Sequence, residues 1–119
     1  MNKVGKMVKK VNISYDYKND ILYLFTGEKV KDSLQIDNFV IDFSHKGKIV
    51  GIEIFEASKV LSGVSEFRIS KKMLKDYLKE VYMKVYVGKE LIVIGIGLLF
   101  KAKPREVHTS VPVPVEIVR

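Results

Sequence analysis

The chain has 119 residues, no cysteine and a net charge of +7. Its length predicts one domain over residues 1–119, and the lack of cysteine excludes disulfides, thiolate nucleophiles and cysteine-ligated zinc. No apolar stretch is long enough for a membrane-spanning helix and no signal peptide is recognisable, so we expect a cytoplasmic protein with no membrane partner.

Charge is unevenly distributed along the sequence. The first ten residues carry four lysines and no acid, and we expect residues 1–10 to form a flexible basic arm. Between Val11 and Glu56 eight acidic residues outnumber five lysines, whereas twelve basic and six acidic residues follow from Ala57 to Arg119. Such a basic C-terminal half is typical of a solubilising lysine coat and also of a surface that attracts nucleic acid.

The first half of the chain shows strand patterns, beginning with the period-two alternation of a half-buried strand at residues 11–15 and a more fully apolar strand at residues 21–25. Further strand-like segments lie at residues 34–43 and 49–55, and polar turns separate all of them. The third segment is interpreted as one strand or two, with a kink at Asp37-Asn38. We therefore predict an antiparallel β-meander, followed by a short helix over residues 56–61.

One segment of the second half shows helical periodicity. Ser70 is a favourable N-cap, and after it apolar residues recur at three- and four-residue spacing from Met73 to Val81. Lysines occupy the opposite side of this pattern. We predict an amphipathic helix that packs its apolar stripe on the sheet, because so short a helix needs tertiary contacts to persist.

Strand alternation resumes after this helix. It predicts an antiparallel hairpin of residues 81–87 and 91–100 and an extended segment over residues 107–115. Pro112 and Pro114 donate no ladder hydrogen bond, so the last segment is interpreted as an edge strand. Together the elements predict a strand-rich α+β domain, in which a β-meander with a short helix precedes a basic extension over residues 62–119.

Several motifs carry a family resemblance. Tyr15-Asp16 opens a polar turn and an apolar strand, Asp42-Phe43 ends a later strand, and Val50-Gly51-Ile52-Glu53-Ile54 is followed by Ala57-Ser58. Over about residues 11–61 the chain resembles the uncharacterised family called domain of unknown function 2283 (DUF2283). The resemblance implies a small β-meander with a helix and no established activity, together with an association with paired genes of toxin–antitoxin type.

Residue types suited to catalysis or metal binding are sparse. His45 lies in a predicted turn and His108 in a strand-like segment, and their spacing defines no metal site. In a meander, Asp42 and Glu53 would lie on neighbouring strands, where paired carboxylates can act as acid and base or hold a divalent cation. Their alternation with apolar residues favours the solvent-exposed side of the sheet. We expect no catalytic residue, cofactor or metal, and a carboxylate-based enzyme is the least favoured hypothesis.

Two binding hypotheses remain. The first is a non-catalytic interaction module that forms a homo-oligomer or binds a small protein partner, with the edge-strand residues Val111, Val113 and Val115 at the interface. The second is nucleic-acid binding through the basic side of the amphipathic helix. The residues expected to carry it are Arg68, Lys71, Lys72, Lys75 and Lys79. Tyr77 falls on the apolar stripe of that helix, so we expect it in the core.

Overall fold

The computed structural model describes residues 7–101 and 106–114, of which 58% are in strands and 14% are helical. The helical elements are α1 (Ala57–Gly63) and a π-helix (Met73–Tyr77). The strands are β1 (Met7–Asp16), β2 (Ile21–Phe25), β3 (Asp32–Ile36), β4 (Phe39–Phe43), β5 (Ile49–Phe55), β6 (Leu78–Val87), β7 (Leu91–Phe100) and β8 (Glu106–Pro114).

All eight strands form a single antiparallel sheet in the order β3-β4-β5-β2-β1-β6-β7-β8, which curls into a half-barrel. Strand β1 joins the two parts of this sheet, because its C-terminal half pairs with β2 and its N-terminal half with β6. Alternate residues of the strands point into one hydrophobic core. That core contains side chains from both parts of the chain, including Leu24 and Ile52 from the first and Ile94 and Leu98 from the second.

The predicted α+β class is wrong, because the amphipathic helix expected from Met73 to Val81 does not form. Helical backbone ends at Tyr77, and Leu78 already belongs to β6. Residues from Val81 onward alternate as a strand, and β6 finds hydrogen-bonding partners on both sides, in β1 and β7. Two ladders satisfy more backbone groups than the last turn of a short helix can, so tertiary pairing overrides the local helical pattern.

The simple meander predicted for the first half is also corrected. Strands β3, β4 and β5 do form a meander, but β2 pairs with β5 rather than with β3. The segment between β2 and β3 passes the ends of the intervening strands, and it is held by hydrogen bonds from Thr26 N to Val50 O (2.9 Å) and from Lys31 N to Phe43 O (2.8 Å). The predicted kink at Asp37-Asn38 is the turn between β3 and β4, and Asp37 there has a positive φ of 52°.

The remaining predicted elements are present with altered bounds. The short helix is α1, and the C-terminal hairpin and edge strand are β6, β7 and β8. Residues 7–10, assigned to the flexible basic arm, belong to β1, while residues 1–6 lie outside the described part of the chain. No helix within the described ranges is long and apolar enough to cross a membrane.

Candidate nucleic-acid interface

A cleft of about 850 Å³ lies between α1 and the segment that leads into the π-helix. We call it the basic cleft. Its cationic side chains are Lys59 on α1 and Arg68, Lys71 and Lys72 on the opposite side. Tyr17, from the turn between β1 and β2, also lines it. The turn at Tyr17 and two neighbouring segments that lie about forty residues later therefore contribute to one cationic surface.

The turn that carries Tyr17 is fixed to α1 by Asp20. The Asp20 carboxylate accepts hydrogen bonds from Tyr15 Oη (2.6 Å) and from Ser58 Oγ (2.7 Å) and N (3.1 Å), and its carbonyl accepts from Ala57 N (2.9 Å). Burial and the bond to Asp20 raise the pKa of the Tyr15 phenol well above its usual range. These bonds anchor the first turn of α1, whose backbone N–H groups have no intrahelical partner.

The other side of the cleft is fixed to α1 by Ser62. Its hydroxyl accepts a hydrogen bond from Ile69 N (2.7 Å) and donates one to Ile69 O (3.1 Å), while the Ile69 side chain is buried in the core. Ser70 Oγ then accepts from Met73 N (3.1 Å), as expected of an N-cap. The backbone on both sides of Arg68 and Lys71 is thereby held in place.

Tyr17 brings two ammonium groups together. Lys71 Nζ lies 4.9 Å and Lys75 Nζ 4.8 Å from the centroid of its ring, which is within the range of cation–π contacts. Ion pairs within 4.0 Å in the described residues join Lys9 and Lys48 to Glu28, Lys10 to Glu80 and His108 to Glu106. None of them involves a cation of the basic cleft, so no carboxylate of the described chain lies within 4.0 Å of those cations.

The five predicted cations do not all meet. Arg68, Lys71 and Lys72 line the basic cleft and Lys75 reaches it over Tyr17, but Lys79 is an exposed residue of β6. The separation follows from the end of helical backbone at Tyr77. Sequence reasoning missed Tyr17 and Lys59, because only tertiary contacts bring their turn and helix to the cleft.

The carboxylates of the enzyme hypothesis are arranged differently from the prediction. Asp42 is on the side of the sheet away from the core, yet its side chain is buried. Tyr23 Oη (2.8 Å) and Ser33 Oγ (2.6 Å) donate hydrogen bonds to its two carboxylate oxygens. Asp42 is opposite Gly51, whereas Glu53 is opposite Val40. No group of His, Asp and Glu residues in residues 7–101 and 106–114 could hold a metal ion.

The Asp42 arrangement depends on the absence of a side chain at Gly51. A Cβ atom there would lie 2.9 Å from Asp42 Oδ2 and 3.1 Å from Tyr23 Oη, so glycine makes room for both polar groups. Burial, followed by the hydrogen bond and the charge of Asp42, raises the pKa of Tyr23 to about 12. A satisfied carboxylate beside a stabilised neutral phenol is typical of a structural network.

The predicted interface valines lie at the edge of the sheet but not on its surface. Val111 and Val113 are buried in the core, and Val115 lies outside the described residues. Strand β8 is an edge strand, and Pro112 and Pro114 remove two backbone donors from it, which hinders pairing with a second copy. Self-association through this edge stays a prediction, with no valine side chain of the described edge available to carry it.

The comparisons with known proteins now identify the family. The profile described as "Protein of unknown function (DUF2283)" matches residues 12–58. An uncharacterised protein of Methanocaldococcus jannaschii is 37% identical over 99 residues, which cover 82% of this chain and 80% of the relative. This chain belongs to the DUF2283 family. No solved structure matches it. The DUF2283 match ends at Ser58, so all four cations that line the basic cleft come after it.

Proposed function

We propose that this protein is a non-catalytic module that binds nucleic acid through the basic cleft. The observation that carries the proposal is the convergence of Lys71 and Lys75 on the ring of Tyr17, with no carboxylate of the described chain within 4.0 Å of either. Like charges held close together repel each other, and an anion beside them offsets that repulsion. A phosphate backbone supplies such anions at regular spacing.

The surroundings of the cleft support a polyanionic ligand. Arg68 and Lys72 are exposed on the same side as Lys71, and Lys59 lies on α1 across the cleft. An arginine offers a planar pair of donors to phosphate oxygens, while lysines act as point charges. Several cations spread along a cleft can contact successive phosphates, and each contact releases counterions from the nucleic acid.

The test is binding of a fluorescently labelled oligonucleotide of about 12 nucleotides, a length within the usual single-site range, by anisotropy at several salt concentrations. We expect affinity to fall as salt rises. In the double variant Lys72→Glu/Lys75→Glu, affinity should fall by at least about 100-fold at low salt, and the log–log salt slope should become shallower by about 1.4 to 1.8.

A matched control separates the cleft from net charge. Lys46 and Lys89 are exposed lysines in turns at other places, so Lys46→Glu/Lys89→Glu changes the total charge by the same amount. We expect this control to lower affinity by less than about 10-fold, because distant charges act only through the screened field. An equal loss in both double variants, or no binding by the wild type at low salt, would contradict the proposal.

A further inference from the structure

Several exposed aromatic residues lie close in sequence to the cations of the basic cleft. In the described part of the chain, four aromatic residues are at least 38% exposed: Tyr17 (47%), Phe67 (48%), Tyr77 (38%) and Tyr86 (38%). Phe67 directly precedes Arg68, Tyr77 ends the π-helix that carries Lys75, and Tyr17 lines the cleft itself. Three of the four therefore accompany the cations.

The exposure of Tyr77 reverses the prediction that placed it in the core. Its backbone is fixed, because Tyr77 O accepts a hydrogen bond from Lys101 N (2.8 Å). Phe67 is likewise on a defined turn, in which its N–H donates to Ser65 Oγ (3.0 Å). Apolar rings held at the surface on ordered backbone cost solvation free energy, and clusters of them mark binding sites.

We infer that the nucleic acid bound by this protein is single-stranded, with bases stacked on Phe67 and Tyr77 and phosphates held by the neighbouring cations. This inference rests on the proposed function and names its ligand class. Bases of a single strand expose their faces, so they can stack on aromatic rings whatever their sequence. In a duplex those faces are already stacked on neighbouring bases, so they are not available to stack on Phe67 and Tyr77.

The shape of the cleft also fits a single strand better than a duplex. Proteins that read a duplex usually insert a helix or a two-stranded ribbon into the major groove. In the described residues α1 has seven residues and the π-helix five, which is short for a recognition helix, and the β6–β7 hairpin contributes no residue to the lining of the cleft. A shallow cationic cleft, with exposed aromatic residues close to its cations in sequence, offers the two kinds of group by which proteins hold a single strand, cations for phosphates and rings for bases.

Tyr17 has a different part in this arrangement. Two ammonium groups already lie over its ring, so we assign it as a positioning residue that keeps Lys71 and Lys75 near each other. Tyr17→Leu should therefore weaken binding to single-stranded and duplex oligonucleotides by the same factor. Phe67 variants should act on single-stranded binding alone.

The decisive experiment compares a single-stranded oligonucleotide with a duplex of the same length at one salt concentration. We expect the wild type to bind the single strand at least about 10-fold more tightly, and Phe67→Leu to lower that affinity by about 5- to 100-fold, the usual effect of losing one base stack. Its affinity for the duplex and its salt slope should not change. Val64→Ala is the matched control, because Val64 is 51% exposed nearby but has no aromatic face.

Intrinsic fluorescence gives a second measurement. The protein has six tyrosines and no tryptophan, so all of its intrinsic emission comes from tyrosine. Stacked bases should quench part of that emission, and Tyr77→Phe should remove much of the quenching. Tyr86→Phe is the control, since Tyr86 has the same 38% exposure on β6.

The outcomes separate this inference from the proposed function. Equal affinity for single strand and duplex, or equal effects of Phe67→Leu and Val64→Ala, would overturn the inference. If Lys72→Glu/Lys75→Glu still abolished binding in that case, the proposed function would stand. If no oligonucleotide bound at low salt, both would fail.

Discussion

The part of the chain that matches DUF2283 and the part that follows it contribute different charged residues, namely hydrogen-bonded carboxylates in the first and the cations of the basic cleft in the second. In residues 12–58 the carboxylates of Asp20 and Asp42 are saturated by hydroxyl and backbone donors. In the following part Arg68, Lys71 and Lys75 have no carboxylate of the described chain within 4.0 Å. The difference teaches that Asp20 and Asp42, both within the family match, hold the sheet and α1 together, whereas the cations that line the basic cleft all lie beyond that match.

Gly51→Ala should give the largest loss of stability, because the added methyl group would displace the hydrogen-bonded side chains of Asp42 and Tyr23. The added Cβ would lie 2.9 Å from Asp42 Oδ2, so the carboxylate and Tyr23 would have to move. We expect the free energy of unfolding in urea to fall by about 2 to 3 kcal/mol. Gly63→Ala, which adds a Cβ with nothing within 4 Å, should change it by less than about 0.5 kcal/mol. Similar losses of unfolding free energy in the two variants would contradict the prediction that Asp42 and Tyr23 exclude a side chain at position 51.

Asp20→Asn should have the next largest effect, because Asp20 ties the Tyr17 turn to α1. We expect a loss of about 1 to 2 kcal/mol, since an amide has one acceptor oxygen in place of two for the Tyr15 and Ser58 donors. Asp37→Asn is the matched control, as Asp37 also has a positive φ (52°, against 56° at Asp20) but is exposed. Thermal unfolding of both variants checks this, and an equally stable Asp20→Asn protein would contradict it.

Tyr23→Phe tests the Asp42 hydrogen-bond network through the pH dependence of stability. At neutral pH we expect a loss of about 1 kcal/mol, because Asp42 Oδ2 loses a donor. The folded state raises the pKa of Tyr23 from 10.0 to about 12, so it holds the phenol proton more tightly than the unfolded chain does. The stability that this phenol contributes is therefore complete below pH 10 and is lost as the pH rises to 12. Urea titrations should show the two proteins converging over that interval, and a constant difference would contradict the network.

Lys75→Gln should have the smallest effect on stability. It therefore tests whether Lys75, unlike Asp20 and Asp42, contributes to binding and not to folding. It removes one cation–π contact with Tyr17 and also the repulsion with Lys71. These contributions oppose each other at an exposed site, so we expect a change within about 0.5 kcal/mol. Oligonucleotide affinity measured on the same protein should nevertheless fall several-fold. A variant that lost stability and kept its affinity would show that Lys75 is a structural residue.

Sequence reasoning succeeded where a pattern is local and reinforced by its neighbours. The apolar segments at residues 21–25 and 49–55, each next to a polar turn, predicted β2 and β5, and the composition after Phe55 predicted α1. It failed from Leu78 to Val81, where the same apolar residues fit both a helical stripe and an alternating strand. The choice was made by β1 and β7, which bond to both edges of β6 and which no local pattern reveals.

The candidate site shows the same division. Four of the five predicted cations lie at the basic cleft, because lysines on a short segment stay together whatever its exact backbone. Tyr17 and Lys59 were not predicted, and Tyr77 was placed in the core. Asp42 was expected to be solvated, although the glycine opposite it was a signal that a side chain could be buried there.

By itself the sequence determined that the chain is rich in strands and which residues form the core side of most of them. It also determined the family and the excess of positive charge after Ala57. Tertiary structure alone decided the strand order, the end of helical backbone at Tyr77, and the meeting of Tyr17, Lys59 and Lys71 at one cleft. The physical reason is that alternation and charge are properties of neighbouring residues. Pairing partners and converging side chains depend instead on contacts between segments that are distant in the chain.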